Sequence, residues 1–164
     1  IFDIMKSGKP YPIKSMWISS YGIGTQAPER KRLFEEVVNK MELVVVSENM
    51  MTEGAMWADY ILPVTTYYEQ EADLVGSWMN LYLQYRKQAI TPMYEAKEDV
   101  VIFSELAKRM KLPGDWNMTP EEHCDFIIQS YTTTKGPFKN EALMNMDAEK
   151  LKHDGGVRIA YPVG

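Results

Sequence analysis

Cysteine is all but missing. Cys124 stands alone among 164 residues, so no disulfide can form within the chain, and no cysteine-rich metal or iron–sulfur site can be built from it. Histidine is nearly as scarce. His123 and His153 have no partner at ligand spacing, which leaves them surface or structural roles. Hydrophobic runs are short, none approaching the roughly 20 residues that a membrane span needs, so direct membrane insertion is not expected. Positive charge is in deficit, with 18 Lys and Arg against 23 Asp and Glu and a net charge of −5. Such a chain is a poor partner for nucleic acid, whose phosphates call for a basic surface. Repeats and low-complexity stretches are absent, as is a charged-then-apolar leader after Ile1. The opening "IFDIMKSGKPYPIKSMW" and the closing "GGVRIAYPVG" read as parts of neighbouring elements, so the chain is expected to be a piece of a longer one.

What is present is an ordinary globular composition, 45% apolar and 25% charged, long enough to bury a core. Ile13–Ser20 is rich in apolar residues and predicts a strand. Pro28 suits the first turn of a helix, and Leu33, Phe34, Val37, Val38 and Met41 share one helical face, predicting a helix over Pro28–Lys40. Leu43–Ser47 is a β-branched run of the kind buried in parallel sheets. Strand, helix and strand make a right-handed crossover. A helical turn at Thr52–Trp57 and a strand at Asp59–Pro63 follow. Val64–Met79 is polar and broken and reads as a long loop. The alternation of Leu81, Leu83 and Tyr85 predicts a strand, and Asp99 is placed to cap a helix bearing Ile102, Phe103, Leu106, Ala107 and Met110. Thr119-Pro120-Glu121-Glu122 is a capping box, so Glu121–Tyr131 is helical. Beyond Tyr131 the pattern weakens. The fold class expected is a three-layer α/β/α, Rossmann-like domain with a mainly parallel sheet. Its core is 1–112, and 113–164 is a helical extension leading toward a C-terminal barrel.

Candidate chemistry is sparse. Tyr21-Gly22-Ile23-Gly24-Thr25 carries the G-x-G part of a dinucleotide fingerprint without its third glycine, and two turn glycines explain it equally well. Glu48 ends the second strand, where dinucleotide folds place a ribose-binding acid. Together they favour a nucleotide at the carboxyl ends of the strands, because open α/β sheets leave a crevice there. Glu69, Glu71 and Asp73 could be paired carboxylates, yet nothing holds them on one rigid element, and a solvated loop is the expectation. Cys124 reads as a small core residue. Arg30-Lys31-Arg32 belongs to the exposed face of its helix. No catalytic residues and no metal ligands are assigned.

The stretch Glu48–Pro63, "ENMMTEGAMWADYILP", resembles the acid-x-x-x-T-E-T-x-x-x-A-D-x-x-L-P signature of the bis-molybdopterin guanine dinucleotide oxidoreductases, the dimethyl sulfoxide reductase family. "YPIKSMWISSYG" is similar to that family's P-I-K-A-L-W strand and the G-N-P loop after it. "VTTYYEQEAD" resembles its T-T-x-x-E-x-x-x-D loop, and "KQAITPMYEAKEDVVIFSELAKRM" is similar to its A-I-x-P-x-x-E-A-K-x-D segment and the helix that follows. "LKHDGGVRI" resembles the approach to the C-terminal barrel. The likeness is strong over 10–112 and weak beyond.

That resemblance implies one α/β piece of a catalytic subunit in which an iron–sulfur domain, two α/β domains and a barrel enclose molybdenum or tungsten. The implied cofactor is molybdopterin guanine dinucleotide. The metal and the iron–sulfur cluster belong to the full-length parent, and iron–sulfur and membrane-anchor subunits are the implied partners. The prokaryotic periplasm or cell envelope is the implied location, the cytoplasm otherwise. Carried over by position, the family's loop Asn falls on Gly22, beside Tyr21, leaving only backbone contact. Its Ser-Asp pair falls on Ser47-Glu48, a frequent Lys on Gln70, and the Asp of E-A-K-x-D on Asp99, whose carboxylate could accept the two N–H donors of guanine. The motif's second Thr is Gly54, which loses a hydroxyl. Ser47, Glu48, Gln70 and Asp99 are expected near the Tyr21–Thr25 loop at the carboxyl end of the sheet. The same cofactor fold also serves hydratases and hydroxyl transferases. A nicotinamide dinucleotide is a further alternative, one that leaves the Thr52–Pro63 signature unexplained.

Overall fold

The computed structural model describes residues 2–71, 73–77, 80–133 and 140–159. The chain divides into two compact units, Ile1–Val64 with Tyr94–Lys97, and Thr65–Met93 with Glu98–Gly164. The chain passes from the first to the second at 64–65, returns at 93–94 and leaves again at 97–98.

In the first unit, α1 (Phe2–Ser7) precedes β1 (Ser15–Ser19), α2 (Ile23–Gln26), α3 (Arg30–Glu36), β2 (Leu43–Glu48) and β3 (Tyr60–Pro63). The three strands are parallel with β2 in the middle, Ser19 lying opposite Ser47 and Glu48 opposite Pro63. The α/β class and the parallel order match the sequence reading. The core is apolar: Leu33, Val37 and Val38 pack with Ile18, Ile23, Val44, Val46 and Ala55. Each such side chain stabilises by about 1.5–3 kcal/mol before entropy is counted. Phe34 is half-buried, its ring centroid 5.0 Å from that of Trp57.

The single helix predicted over Pro28–Lys40 is two pieces. Glu29 takes a left-handed φ of 52°, so α3 begins only at Arg30. At Val37 the backbone leaves helical angles, and a 3-10 turn covers Val38–Lys40. Two adjacent β-branched residues make a weak helical interior, and burying both against the sheet outweighs continuing the helix.

The second unit holds β4 (Asp73–Ser77), β5 (Asn80–Arg86), α4 (Asp99–Arg109), α5 (Pro120–Thr133), α6 (Ala148–Asp154) and β6 (Gly156–Arg158). Its sheet is antiparallel, β4-β5-β6, with an irregularity between Val75 and Ser77. Tyr85, Cys124, Ile128, Leu143, Ala148 and Leu151 form the core. The loop expected over Val64–Met79 is therefore wrong at Asp73–Ser77, while residues 72, 78 and 79 of that expectation lie outside the described residues. Asp73–Ser77 is too short and too interrupted by Gly76 to announce a strand, and pairing to β5 makes it one. The capping box is formed: Thr119 N–H donates to Glu122 at 2.7 Å, and Glu122 N–H donates to Thr119 Oγ1 at 3.2 Å. Asp99 is not the cap. Glu98 occupies that position with extended angles, and Asp99 is the first helical residue. Helix α6, unforeseen, starts on Asp147, whose carboxylate accepts the Lys150 N–H at 2.7 Å, and stops at Gly155 with φ 79°. Among the described residues no helix is long and apolar enough to cross a membrane.

Candidate functional site

Parallel strands put their carboxyl ends at one edge, and in the first unit that edge gathers Tyr21, Gly22, Ser47 and Glu48. Ser20, between β1 and this loop, has a φ of 55°, a conformation that costs a non-glycine residue roughly 1 kcal/mol or more. Beside the edge, a cavity of about 410 Å³ is lined by Met16, Trp17, Ser19, Tyr21, Ile23 and Leu33 among others. It is apolar and of the size that small-molecule sites occupy. Tyr21 is about half exposed.

The glycines of the loop have structural work. A Cβ on Gly24 would lie 3.0 Å from Glu53 Cβ, and one on Gly54 would lie 2.8 Å from Ile23 Cγ2. Gly54, where the family pattern has Thr, is thus the residue that lets the Thr52–Trp57 turn close on the β1 loop. The N–H groups of Ile23, Thr25 and Gln26 bond to carbonyls within the loop at 2.7–2.9 Å, so they do not form a phosphate-binding nest of the nicotinamide-dinucleotide kind.

Ser47 is buried and its Oγ accepts the Trp17 indole N–H at 2.9 Å. This fixes the Trp17 ring along the cavity wall. Glu48 is half-buried. Its Oε1 accepts the Asn49 N–H at 2.9 Å, while Oε2 lies 3.5 Å from the Thr52 hydroxyl, which leaves that oxygen capacity for a ligand's donor.

Gln70 and Asp99 belong to the second unit. Gln70 donates from Nε2 to the Thr65 carbonyl at 3.1 Å and accepts a bond from Arg86 at Oε1. Asp99 opens α4, where a carboxylate suits the helix dipole. The acidic trio is not the solvated set expected. Glu69 is 2% exposed. It accepts from the Thr66 hydroxyl at 2.6 Å, the Thr66 N–H at 2.7 Å and the Met93 N–H at 2.8 Å, bonds that hold its carboxyl below the usual range. Glu71 accepts from the Tyr85 hydroxyl at 3.2 Å, the Gln88 N–H at 2.6 Å and Lys152. Burial opposes ionisation of Glu71, and these partners outweigh it, so its pKa is lowered. Burial pushes the Cys124 thiol up to about 12, so it is a core residue without nucleophilic character, as expected. His153 is exposed and paired with Asp154. Among the described residues no three His, Cys, Asp or Glu side chains gather at metal-binding distance.

The family model described as molybdopterin oxidoreductase matches residues 4–109, from α1 to the last residue of α4. The chain belongs to the molybdopterin oxidoreductase family. It is 37% identical over 106 residues to the Bacillus subtilis (strain 168) protein named "Probable oxidoreductase YyaE", covering 65% of this chain and 16% of that protein. It is 38% identical over 111 residues to the dimethyl sulfoxide/trimethylamine N-oxide reductase of Cereibacter sphaeroides, covering 66% of this chain and 13% of the reductase. Among solved structures, acetylene hydratase from Pelobacter acetylenicus superposes with a TM-score of 0.74 over 98% of this chain and 20% of the hydratase, at 21% identity. That likeness is one of fold. The chain thus spans about one-sixth or less of the curated relatives it matches. All six site residues chosen from sequence fall within the molybdopterin oxidoreductase match, whereas α5, α6 and β6 lie outside it.

Arg86 was missed. Its guanidinium lies 3.5 Å over the Tyr67 ring and 2.9 Å from Asp73. It is the single Arg that ends a strand otherwise reading Asn, Leu, Tyr, Leu, Gln and Tyr.

Proposed function

We propose that this chain is the part of a molybdopterin-dependent oxidoreductase catalytic subunit that holds the nucleotide end of a molybdopterin guanine dinucleotide. The observation that supports the reading is the carboxyl edge of β1-β2-β3, which carries Tyr21, Gly22 and Glu48, together with an apolar cavity lined by Trp17, Ser19 and Tyr21, in a chain of this family. The residues fit such a group. Glu48 keeps one carboxylate oxygen available, and a purine needs acceptors for its N–H donors and an apolar wall for its face. Bound, the cofactor supplies the dithiolene ligands of molybdenum or tungsten and thereby two-electron chemistry. The chain's task is retention and orientation. Glu48 accepts N–H or O–H bonds from guanosine, and the Trp17 and Tyr21 rings exclude water from the base. The metal, the iron–sulfur cluster and the substrate funnel belong to other regions of the subunit, which works with iron–sulfur and membrane-anchor partners at the prokaryotic cell envelope.

Titration of the chain with GDP and with ADP is the test, followed by calorimetry. GDP should bind more tightly. Glu48→Gln should weaken both nucleotides roughly tenfold, the effect of one charge-assisted bond. Equal binding of GDP and ADP by the unaltered chain would remove the guanine assignment.

A further inference from the structure

Side-chain alternation gives the sheet β1-β2-β3 two faces. One carries Ile18, Val44 and Val46, each no more than 6% exposed. They pack with Leu33 and Val38 from the β1–β2 connection and with Ala55 from the β2–β3 connection. The other face carries Leu43, Val45, Tyr60 and Leu62, with Val45 opposite Tyr60 in the parallel register. Among the described residues these four belong to neither apolar core. Leu43 is 38% exposed and Tyr60 65% exposed, while Val45 and Leu62 are half-buried. At β1 the same face carries Trp17, whose indole donates to the buried Ser47 at 2.9 Å. The open part therefore lies over β2 and β3.

An open face is unusual for such a sheet. Parallel sheets are covered on both faces, because their crossovers place helices there and their strands are apolar on each side. Topology explains which face is left. β1, β2 and β3 follow one another across the sheet in one direction. Right-handed crossovers taken in one direction put their connections on a single face, and Leu33, Val38 and Ala55 do share one core. The connections of these three strands are thus used up on the covered face. A helix for the opposite face must come from a crossover that runs the other way, starting beyond β1, as at the switch point of a doubly wound sheet. We propose that the face bearing Leu43, Val45 and Tyr60 seats an amphipathic helix supplied by a segment of the same catalytic subunit outside this chain. The chain spans one-sixth or less of its curated relatives, so the subunit has the length to supply one. The helix meets the sheet with an apolar stripe at i, i+3, i+4 and i+7 spacing and turns its polar side outward. This surface is independent of the nucleotide assignment.

Hydroxyl-radical footprinting read by mass spectrometry compares this chain with the full-length subunit. It needs no substitution, so no folding defect can intervene. In this chain Tyr60 and Leu43 should be labelled, with the buried Val44 and Val46 silent. In the full-length subunit Tyr60 and Leu43 should lose their labelling. Equal labelling of Tyr60 in both would overturn the proposal. So would protection in this chain that is lost on dilution, because a second copy would then cover the face. The occupant is read by placing the photo-cross-linker Tyr60→p-benzoylphenylalanine in the full-length subunit. Irradiation should join it to one helix of the same polypeptide, outside the residues of this chain. A cross-link to another subunit, to a strand or back to this chain's own residues would sink the assignment. Leu43→Glu should leave the melting temperature of this chain unchanged and lower that of the full-length subunit. Equal lowering in both would make Leu43 part of this chain's own packing and leave no docking face.

Discussion

The two units solve the same problem with different means. The first buries an apolar cluster between a parallel sheet and helices that follow one another closely in sequence, and its polar contacts are mostly exposed ion pairs such as Lys14–Glu42 and Lys31–Glu35. The second joins strands distant in sequence, Leu83 pairing with Val157. It stitches its loops with buried or half-buried carboxylates, Glu69 to Thr66 and Met93, Glu71 to Tyr85, Gln88 and Lys152. Non-local pairing must be fixed by specific contacts, whereas a crossover unit is nearly specified by apolar pattern and chirality. Exposed pairs contribute little, about 0–1 kcal/mol each, so polar substitutions should matter more in the second unit than in the first.

The largest effect should come from the second core. Ile128 and Leu151 are fully buried, and Ile128→Ala should cost about 2–5 kcal/mol through lost transfer energy and a cavity. Amide hydrogen exchange should show protection lost in β5, α5 and α6 and retained in β1, β2 and β3. Equal loss in both units would mean that they unfold as one cooperative body, and the contrast drawn above would fail.

How much of this was legible follows the same division. Val44–Val46 and the Leu33/Val37/Val38 face were readable because each is a local pattern buried on one surface, and the parallel pairing of β1 with β2 followed from the strand, helix, strand order. Asp73–Ser77 was not readable, because its strand character comes from β5 rather than from its own residues. Glu69 looked solvated because sequence shows a carboxylate but not the three donors that converge on it. Of the candidate site, the strand-end residues Ser47 and Glu48 could be placed from sequence. The engagement of Ser47 by Trp17, and of Gln70 by Arg86, required coordinates.

Next in size is a test of the first unit's loop interlock. Gly54 has ordinary helical angles, φ −64° and ψ −38°, so alanine meets no backbone strain there. The added Cβ would lie 2.8 Å from Ile23 Cγ2, and overpacking of this kind costs about 1–3 kcal/mol. Ile23→Leu, which lacks that methyl branch, should recover part of the loss in the double variant. A chemical-denaturation midpoint for Gly54→Ala equal to that of the parent would show that the turn yields freely.

A smaller effect is expected at α5. Thr119→Ala removes the hydroxyl that accepts the Glu122 N–H at 3.2 Å and should cost about 1 kcal/mol. Thr119→Ser should restore most of it. The change should be confined to the second unit's transition, and spreading of the loss to β1, β2 and β3 would again argue for one cooperative body.

The smallest effect is electrostatic, and its sign separates the carboxylates of the second unit. Burial raises the pKa of Glu98, with Asp73, Glu121 and Glu71 adding repulsion and the Glu71 N–H opposing both through a bond of 3.1 Å. A carboxyl raised above its unfolded value holds a proton in the folded state that the unfolded chain would release. The unit therefore gains stability as pH falls through the raised folded pKa, and the gain is complete below the ordinary carboxylate value. Glu69 and Glu71 act in the opposite direction. Their folded values are lowered, so their contribution is present above the ordinary range and disappears as pH falls through the lowered values. Melts of the parent should thus show a slight rise in stability on moving from neutral pH toward the carboxylate range, followed by a loss at lower pH. Glu98→Gln keeps an oxygen for the Glu71 N–H and removes the charge. It should be more stable than the parent at neutral pH, and the advantage should shrink as pH falls through the raised folded value. An advantage of the same size at every pH would mean that packing, not ionisation, sets the difference at this position.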